Sequence, residues 1–97
     1  MPDKLYGGLT DNEFRKRAKK AVVEYWNSHK TLPHKFKEIK SADVYVVWQV
    51  KAIQNSKALL GVNVKDDGLY FEVTWNGDSS ELYLDVYRKQ KHITVEY

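Results

Sequence analysis

The residue types that most often carry out chemistry are few in this chain and form no recognisable site. The three histidines are His29, His34 and His92, and there is no cysteine. His29 and His34 lie five positions apart across a predicted helix end, which matches no standard zinc spacing. Since no thiolate is present to complete a site, we expect capping or solvent-exposed histidines, no bound metal and no cofactor.

The acidic residues offer one pair that could share a proton. Glu72 and Asp85 fall on the same face of two neighbouring predicted strands, and two close carboxylates can divide acid and base roles. No nucleophile or oxyanion-hole motif accompanies them, and the glycines match no phosphate-binding or nucleophile-elbow pattern. Asp66 and Asp67 lie in a predicted turn, where Asp side chains bond the local backbone. We therefore expect a solvated face, no catalytic residue and a protein that is not an enzyme.

Basic residues concentrate in one part of the chain. Residues 13–40 hold nine Lys or Arg against three acids, whereas residues 41–97 hold six bases and eight acids. A solubilising helix face is one interpretation, and a patch for phosphates with salt-dependent, sequence-tolerant binding is the other. No motif for base-specific readout is present. The candidate nucleic-acid-binding residues are Arg15, Lys16, Lys19, Lys20, Lys35 and Lys37.

The helix that would carry this charge has clear start and stop signals. Thr10 and Glu13 predict a capping box at its beginning. Pro33 prevents continuation, so we expect the helix to end near His29. The predicted core-facing stripe comprises Phe14, Ala18, Ala21, Val22, Tyr25 and Trp26. A basic linker follows, and Phe36 and Ile39 are its predicted contacts with the core.

Everything after Asp43 is predicted to form strands. The segment "DVYVVWQVK" alternates Val44, Val46, Trp48 and Val50 on one face, and "KALLGVNV" alternates Ala58, Leu60, Val62 and Val64. Turns are predicted at 53–56, 65–68 and 76–79, and the last two contain the Asp-Gly and Asn-Gly steps typical of hairpins. Gly61 inside the second strand indicates a bulge or a close backbone approach. The segment "HITVEY" is a possible fifth strand after "RKQK".

These elements predict a single α+β domain with two layers. An N-terminal amphipathic helix packs on a four- to five-stranded antiparallel meander sheet, because short connections force neighbouring strands to run antiparallel. The predicted parts are an N-terminal arm at 1–9, the helix at 10–29, the basic linker at 30–42 and the sheet at 43–97.

One predicted sheet face mixes tyrosines with carboxylates. It faces away from the helix, and a free monomer rarely exposes so much contiguous apolar surface. We expect this face to meet a protein partner or a second copy, where tyrosine is enriched. The alternatives are a cover formed by Leu5 and Tyr6, or rings that stack on nucleic-acid bases; Glu72 and Asp85 disfavour stacking because they would repel phosphates. The candidate protein-interface residues are Tyr45, Val47, Tyr70, Glu72, Tyr83, Asp85 and Tyr87.

Length and composition predict one soluble domain. A chain of 97 residues buries enough surface for one core. No apolar run approaches the roughly 20 residues that a membrane span needs, and "MPDKLYGG" lacks the pattern of a signal peptide. With no cysteine for disulfides, we expect a cytoplasmic protein without a membrane partner or an evident small-molecule substrate.

Two segments carry a resemblance. "DVYVVWQVKAIQNSKALL" (Asp43 to Leu60) and "DGLYFEVTWNGDSSELYLDVYRK" (Asp67 to Lys89) resemble a small uncharacterised protein family of phages and prophages of Gram-positive bacteria, over residues 43–97. The resemblance implies an accessory protein in the cytoplasm of a bacterial host cell and assigns no residue a catalytic role. It is compatible with a protein-interaction module, with a non-specific nucleic-acid binder, or with an inhibitor of a host nuclease or defence complex. An acidic surface that mimics DNA is expected of many such inhibitors, and the basic charge of this chain disfavours that third hypothesis.

Overall fold

The computed structural model of the chain describes residues 8–28, 38–63 and 68–96. Within these ranges a helix is followed by a short 3₁₀ turn (Ser41–Asp43) and four strands. The elements are α1 (Asp11–Ser28), β1 (Val44–Ala52), β2 (Asn55–Val62), β3 (Leu69–Asn76) and β4 (Glu81–Arg88). Each strand pairs antiparallel with the next, in the order β1-β2-β3-β4. The predicted two-layer α+β fold is confirmed, with four strands.

Helix α1 begins at the predicted capping box. The Thr10 amide donates to Glu13 Oε1 over 3.0 Å, and the Glu13 amide donates to Thr10 Oγ1 over 3.1 Å. These two bonds satisfy two amides that the first turn of a helix otherwise leaves unpaired. Residues on either side of the cap, Leu9 and Phe14, are both buried. The described part of the helix runs to Ser28, so the predicted end near His29 lies outside the described residues.

The core lies between α1 and one face of the sheet, which we call the inner face; the opposite one is the outer face. The fully buried helix residues are Phe14, Ala18, Val22 and Trp26, four members of the predicted stripe. Tyr25 and Trp26 approach the Phe71 ring edge-on, with centroids 5.9 and 6.4 Å away. Such edge-to-face geometry adds about 0.5–1.5 kcal/mol per pair to the burial of the rings.

The end of the linker is fixed to α1 as predicted for Ile39. Its side chain is buried. Its amide donates to Asn27 Oδ1 over 2.9 Å, and its carbonyl accepts from Asn27 Nδ2 over 3.1 Å. The other predicted contact, Phe36, lies outside the described residues.

Strand β1 departs from the predicted alternation. Val46 pairs with Leu60, whereas Trp48 pairs with the next residue of β2, Leu59. Val47 therefore has no partner in β2 and forms a β-bulge, in which one strand contains an extra residue.

The bulge reverses the side chains in the rest of β1. Leu59 lies opposite Glu72 on the outer face, and directly opposite residues in a ladder share a face. Trp48 and Val50 therefore lie on the outer face, where they are 42% and 54% exposed. The prediction that these two residues share a face with Val44 is wrong, because a one-residue insertion moves every later side chain to the other face.

The two hairpin loops at one end of the sheet are packed together. The β1–β2 turn consists of Ile53 and Gln54, shorter than the predicted turn at 53–56, because β2 begins at Asn55. The amide of Gly77 donates to Asn55 Oδ1 over 3.0 Å, and Gln54 Nε2 donates to Asp78 Oδ1 over 3.2 Å. A Cβ at Gly77 would collide with the Gln54 carbonyl oxygen and lie 2.6 Å from Gln54 Cβ. Glycine is thus required at this turn for a close approach between loops.

The fourth strand is the last one within the described residues. Residues 89–96 continue beyond it without forming a ladder, so "HITVE" is not a fifth strand of its own sheet. Helix α1 packs chiefly over β1, β2 and β3. The inner-face side chains of β4 are consequently less covered: Leu82 and Leu84 are half-buried, and Val86 is 38% exposed.

Candidate functional site

Three cross-strand rows of side chains make up the outer face. Residues directly opposite each other in an antiparallel sheet have Cβ atoms about 4.5–5.5 Å apart, so each row is continuous. The first row is Tyr45, Gly61, Tyr70 and Tyr87; the second is Trp48, Leu59, Glu72 and Asp85; the third is Val50, Lys57, Thr74 and Tyr83. Large side chains occur in every row, and they are found on both edge strands, β1 and β4.

The large outer-face side chains are substantially exposed. Single exposed apolar residues are ordinary on a protein surface, but contiguous ones indicate an interaction site. Five of them are 42–54% exposed, namely Tyr45, Trp48, Val50, Tyr83 and Tyr87. The bulge residue Val47, also a candidate from the sequence, is 48% exposed and has no partner in β2.

The Tyr45 side chain lies over Gly61 of the neighbouring strand. A Cβ at Gly61 would come within 2.5 Å of the Tyr45 Cζ and hydroxyl oxygen. The ring therefore crosses over β2 at the one position in this row without a side chain. Of the bulge or close backbone approach predicted at Gly61, the structure shows a close approach, and what approaches the Gly61 backbone is an aromatic ring of the outer face.

Glu72 is the central charged group of the outer face. The Tyr87 hydroxyl donates to Glu72 Oε1 over 3.2 Å, and Lys57 Nζ lies 3.6 Å from Glu72 Oε2. The Glu72 side chain is only 20% exposed. Its charge, and secondarily this hydrogen bond, raise the pKa of the Tyr87 phenol, with smaller contributions from desolvation and from Asp85. The carboxylate thus has two partners within its own sheet.

A second tyrosine is tethered in the same way. The Tyr83 hydroxyl donates to Glu81 Oε1 over 2.6 Å. This bond is the main reason why the pKa of Glu81 is lowered, followed by a bond from Ser79. Both tyrosine rings are therefore held by carboxylates of the chain, and rings that are ordered in advance lose less conformational entropy when a partner binds.

The acidic pair predicted from the sequence is present. Glu72 and Asp85 are directly opposite each other in β3 and β4. Lys57 and Tyr87 contact Glu72. Within the ranges 8–28, 38–63 and 68–96, no group of three or more His, Cys, Asp or Glu side chains is placed to hold a metal ion.

The arginines of α1 are engaged by the chain itself. Arg15 Nε donates to Gln49 Oε1 of β1 over 3.2 Å. The Arg17 guanidinium carbon lies 5.4 Å from the centre of the Trp75 ring, a cation–π distance. These contacts direct the two arginines toward different strands, β1 and β3, and not toward one common patch.

The structure describes only some of the candidate lysines of the basic segment. Lys16 and Lys20 are exposed on α1, and Lys19 is half-buried. Lys35 and Lys37 lie outside the described residues. The described part of the candidate nucleic-acid-binding set therefore consists of two exposed lysines, one half-buried lysine and Arg15, which is hydrogen-bonded to Gln49.

A shallow groove separates α1 from the β3–β4 hairpin. Its volume is about 410 Å³, and its lining residues are Arg17, Lys20, Ala21, Glu24, Trp75 and Leu82. Both signs of charge occur at its rim, so it presents no single electrostatic preference. In the part of the chain that the structure describes, no helix is both long and apolar enough to span a membrane.

Three outer-face residues were missed by sequence reasoning: Trp48, Val50 and Lys57. A signal for the first two was present, because the run Val46-Val47-Trp48 places three apolar residues in succession, which a strand with one buried face does not require. The outer-face position of Lys57 follows from the alternation of Ala58 and Leu60, but its approach to Glu72 depends on the pairing of β2 with β3.

Comparisons with known proteins give a family and no function. Residues 15–97 match a protein family described as a family of unknown function (DUF6275). Neither the curated proteins nor the solved structures contain a significant match to this chain.

Proposed function

Because the chain belongs to DUF6275, a family of unknown function, we propose its function from its own surface: it is a protein-binding module that uses the outer face. In this proposal it acts by binding and not by catalysis. The resemblance to phage and prophage proteins supports an accessory role in the cytoplasm of a bacterial host. The observation that carries the proposal is the bulge at Val47, which adds Trp48 and Val50 to a face already rich in tyrosine.

The chemistry of the outer face favours a protein as its partner. Tryptophan and tyrosine are the residues most enriched among those that dominate protein–protein binding energy. The three rows carry two carboxylates, Glu72 and Asp85, and one ammonium, Lys57. Platforms that stack single-stranded nucleic acid combine rings with a positively charged groove, and this face lacks that charge.

The outer face of one copy is smaller than a typical stable interface. Strands lie about 4.8 Å apart, and rows on one face lie two residues, or about 6.6 Å, apart along a strand. Four strands and three rows therefore cover an area of roughly 400 Å² in the plane of the sheet. Stable interfaces typically bury about 800 Å² per partner. A partner that contacts only the outer face of one copy should therefore bind at the weak end of specific complexes.

Site-specific photocrosslinking tests the proposal. A photoreactive phenylalanine analogue at Tyr83 should yield a covalent adduct in host extract, whereas the same group at Lys20 on α1 should not. Mass spectrometry of the adduct identifies the partner, which is then titrated in purified form. Trp48→Glu should weaken that binding at least tenfold because it places a charge in the centre of the contact. Adducts formed only from position 20, or a Trp48→Glu variant that binds normally, would refute the use of the outer face.

The alternative function is nucleic-acid binding through α1. A fluorescence anisotropy titration at about 50 mM salt tests it, since counterion release makes such binding strongest at low salt. Lys16→Glu and Lys20→Glu should abolish any signal that depends on this helix. Binding that survives both changes would contradict the basic-helix version. No binding of the unmodified chain would remove the alternative altogether.

A further inference from the structure

Among the residues that the structure describes, strand β4 presents an open and regular edge. It is the last strand in the sheet order, and its pairing with β3 runs without interruption from Leu69–Arg88 to Asn76–Glu81. Proteins protect such edges with bulges, prolines or charged side chains, above all lysine, because an unpaired edge is a template for another strand. The opposite edge, β1, contains the Val47 bulge. The eight residues of β4 contain no bulge, no proline and no lysine; their charged residues are Glu81 and Arg88 at the two ends and Asp85 on the outer face.

The hydrogen-bonding groups on this edge can be identified. The Lys89 amide donates to the Gly68 carbonyl over 2.7 Å, so Lys89 and the residues at alternate positions before it bond to β3. The amides and carbonyls of Leu82, Leu84 and Val86 consequently point away from β3, toward the open edge. The same three residues have the partly uncovered inner-face side chains.

The segment that follows β4 has the composition of a strand. In "HITVE" (residues 92–96), the apolar residues Ile93 and Val95 alternate with polar ones, and Ile, Val and Thr are favoured in strands. Ile93 is 71% exposed and Val95 is 65% exposed. The Lys89–Gly68 hydrogen bond extends the pairing one residue beyond the end of β4, so the chain leaves the sheet in the direction of the strand. Residues 92–96 therefore leave their own sheet with two apolar side chains in water.

We propose that residues 92–96 of one copy add to the β4 edge of a second copy as its fifth strand, reciprocally, in a twofold-symmetric dimer. A second copy fits this edge because both surfaces are apolar. Leu84 and Val86 are only partly covered by α1, and Ile93 and Val95 of the added strand would pack against them. Residues 89–91 are not part of a strand and span up to about 10 Å, enough to cross two strand spacings of about 4.8 Å. Reciprocal exchange closes the assembly and uses both open edges.

This assembly does not depend on the outer-face proposal, but it would enlarge that surface. Strand addition at the edge continues the sheet, so the outer faces of two copies would lie side by side. Their combined plan area of roughly 800 Å² would reach the size of a typical stable interface. Partner binding and dimerisation would then be coupled. Substitutions on the outer face would still abolish only partner binding directly, and substitutions in residues 92–96 would abolish only dimerisation directly.

Light scattering across a dilution series gives the first test. The full chain should be a dimer that dissociates on dilution. Ile93→Lys combined with Val95→Lys should be monomeric at every concentration. Because both side chains are exposed in a single copy, this variant should melt at the temperature of the diluted, monomeric full chain, and its melting temperature should not depend on concentration. Trp48→Glu is the matched control on the outer face and should stay dimeric. A monomeric full chain, or a dimer that Trp48→Glu abolishes and the lysine variant does not, would overturn the proposal.

A spin-label experiment separates exchange between copies from folding back within one copy. The chain has no cysteine, so Glu96→Cys carries a nitroxide at a single site. When this protein is mixed with an unlabelled, ¹⁵N-enriched copy, the amide signals of β4 in the ¹⁵N copy should broaden. A label at Ile53→Cys, at the hairpin tip, is the control and should leave them sharp. In a second sample the spin-labelled chain itself is ¹⁵N-enriched and mixed with an excess of unenriched chain without the label. Broadening of β4 in this second sample, with sharp β4 signals in the first, would overturn exchange between chains.

Discussion

Deletion of one valine from the Val46-Val47 pair tests the bulge on which the outer face depends. The two deletions give the same sequence. Because Val46 pairs with Leu60 and Trp48 pairs with Leu59, which are consecutive in β2, removal of the extra residue leaves every later pair in place. We expect a regular β1 in which Trp48 is still on the outer face.

The expected cost of this deletion is small. Full burial of a valine is worth about 1.5–3 kcal/mol, and Val47 is already 48% exposed, so loss of its side chain should cost about 1 kcal/mol. A more regular ladder offsets part of this, at about 0.5–1.5 kcal/mol per hydrogen bond. We therefore expect the free energy of unfolding to change by no more than about 1 kcal/mol, which is about 4–8 °C in melting temperature for a domain of this size.

A strand without a bulge would respond very differently. If Val44, Val46, Trp48 and Val50 shared the inner face, the deletion would turn every later residue to the opposite side. Removal of a buried tryptophan alone costs about 3–5 kcal/mol, much of the 5–15 kcal/mol that a domain has. Such a variant would lose most of its structure.

Urea denaturation followed by far-ultraviolet circular dichroism distinguishes these outcomes. Deletion of Thr74 is the control, because this residue lies in the regular β3 ladder with a partner on each side; it should abolish folding. A valine deletion that loses more than about 3 kcal/mol, as a buried-face reversal would, would refute the bulge and with it the outer-face position of Trp48.

Three further predictions concern other parts of the fold. Gly77→Ala should lower the free energy of unfolding by about 2–3 kcal/mol, since overpacking costs about 1–3 kcal/mol and the added Cβ would collide with the Gln54 backbone; a change below about 0.5 kcal/mol, the level of ordinary surface substitutions, would contradict this. Ile53→Gly should stabilise the protein by about 1 kcal/mol, because a β-branched residue at φ +56° is strained by about 1–3 kcal/mol and glycine's extra entropy costs about 0.5–1 kcal/mol; an unchanged or lower melting temperature would argue against strain. The raised pKa of Tyr87 means that its contribution to stability is complete below the ordinary tyrosine pKa of 10.0 and is lost as the pH rises through the folded pKa. Ultraviolet titration, with Tyr87→Phe as the subtracted reference, should show this pKa falling in Glu72→Gln, and an unchanged value would rule out Glu72 as the cause.

The sequence alone determined the features that depend on neighbouring residues. The capping box at Thr10 and Glu13, the buried stripe of α1 and the β3–β4 hairpin connection follow from local hydrogen bonds, from a 3.6-residue period and from turn chemistry. The outer-face positions of Tyr70 and Tyr83 followed as well, since β3 and β4 alternate regularly on both sides of a short loop.

Only the tertiary structure decided which partner each residue meets. The bulge at Val47 could not be read from β1 alone, because both registers satisfy the local preferences of "VYVVWQV" and the pairing with β2 selects between them. The requirement for glycine at position 77 arises from a loop more than twenty positions earlier in the chain, at Gln54. Local sequence sets periodicity and propensity, whereas register, and with it the face on which Trp48 lies, is fixed by the side chains of the adjacent strand and by burial under the helix.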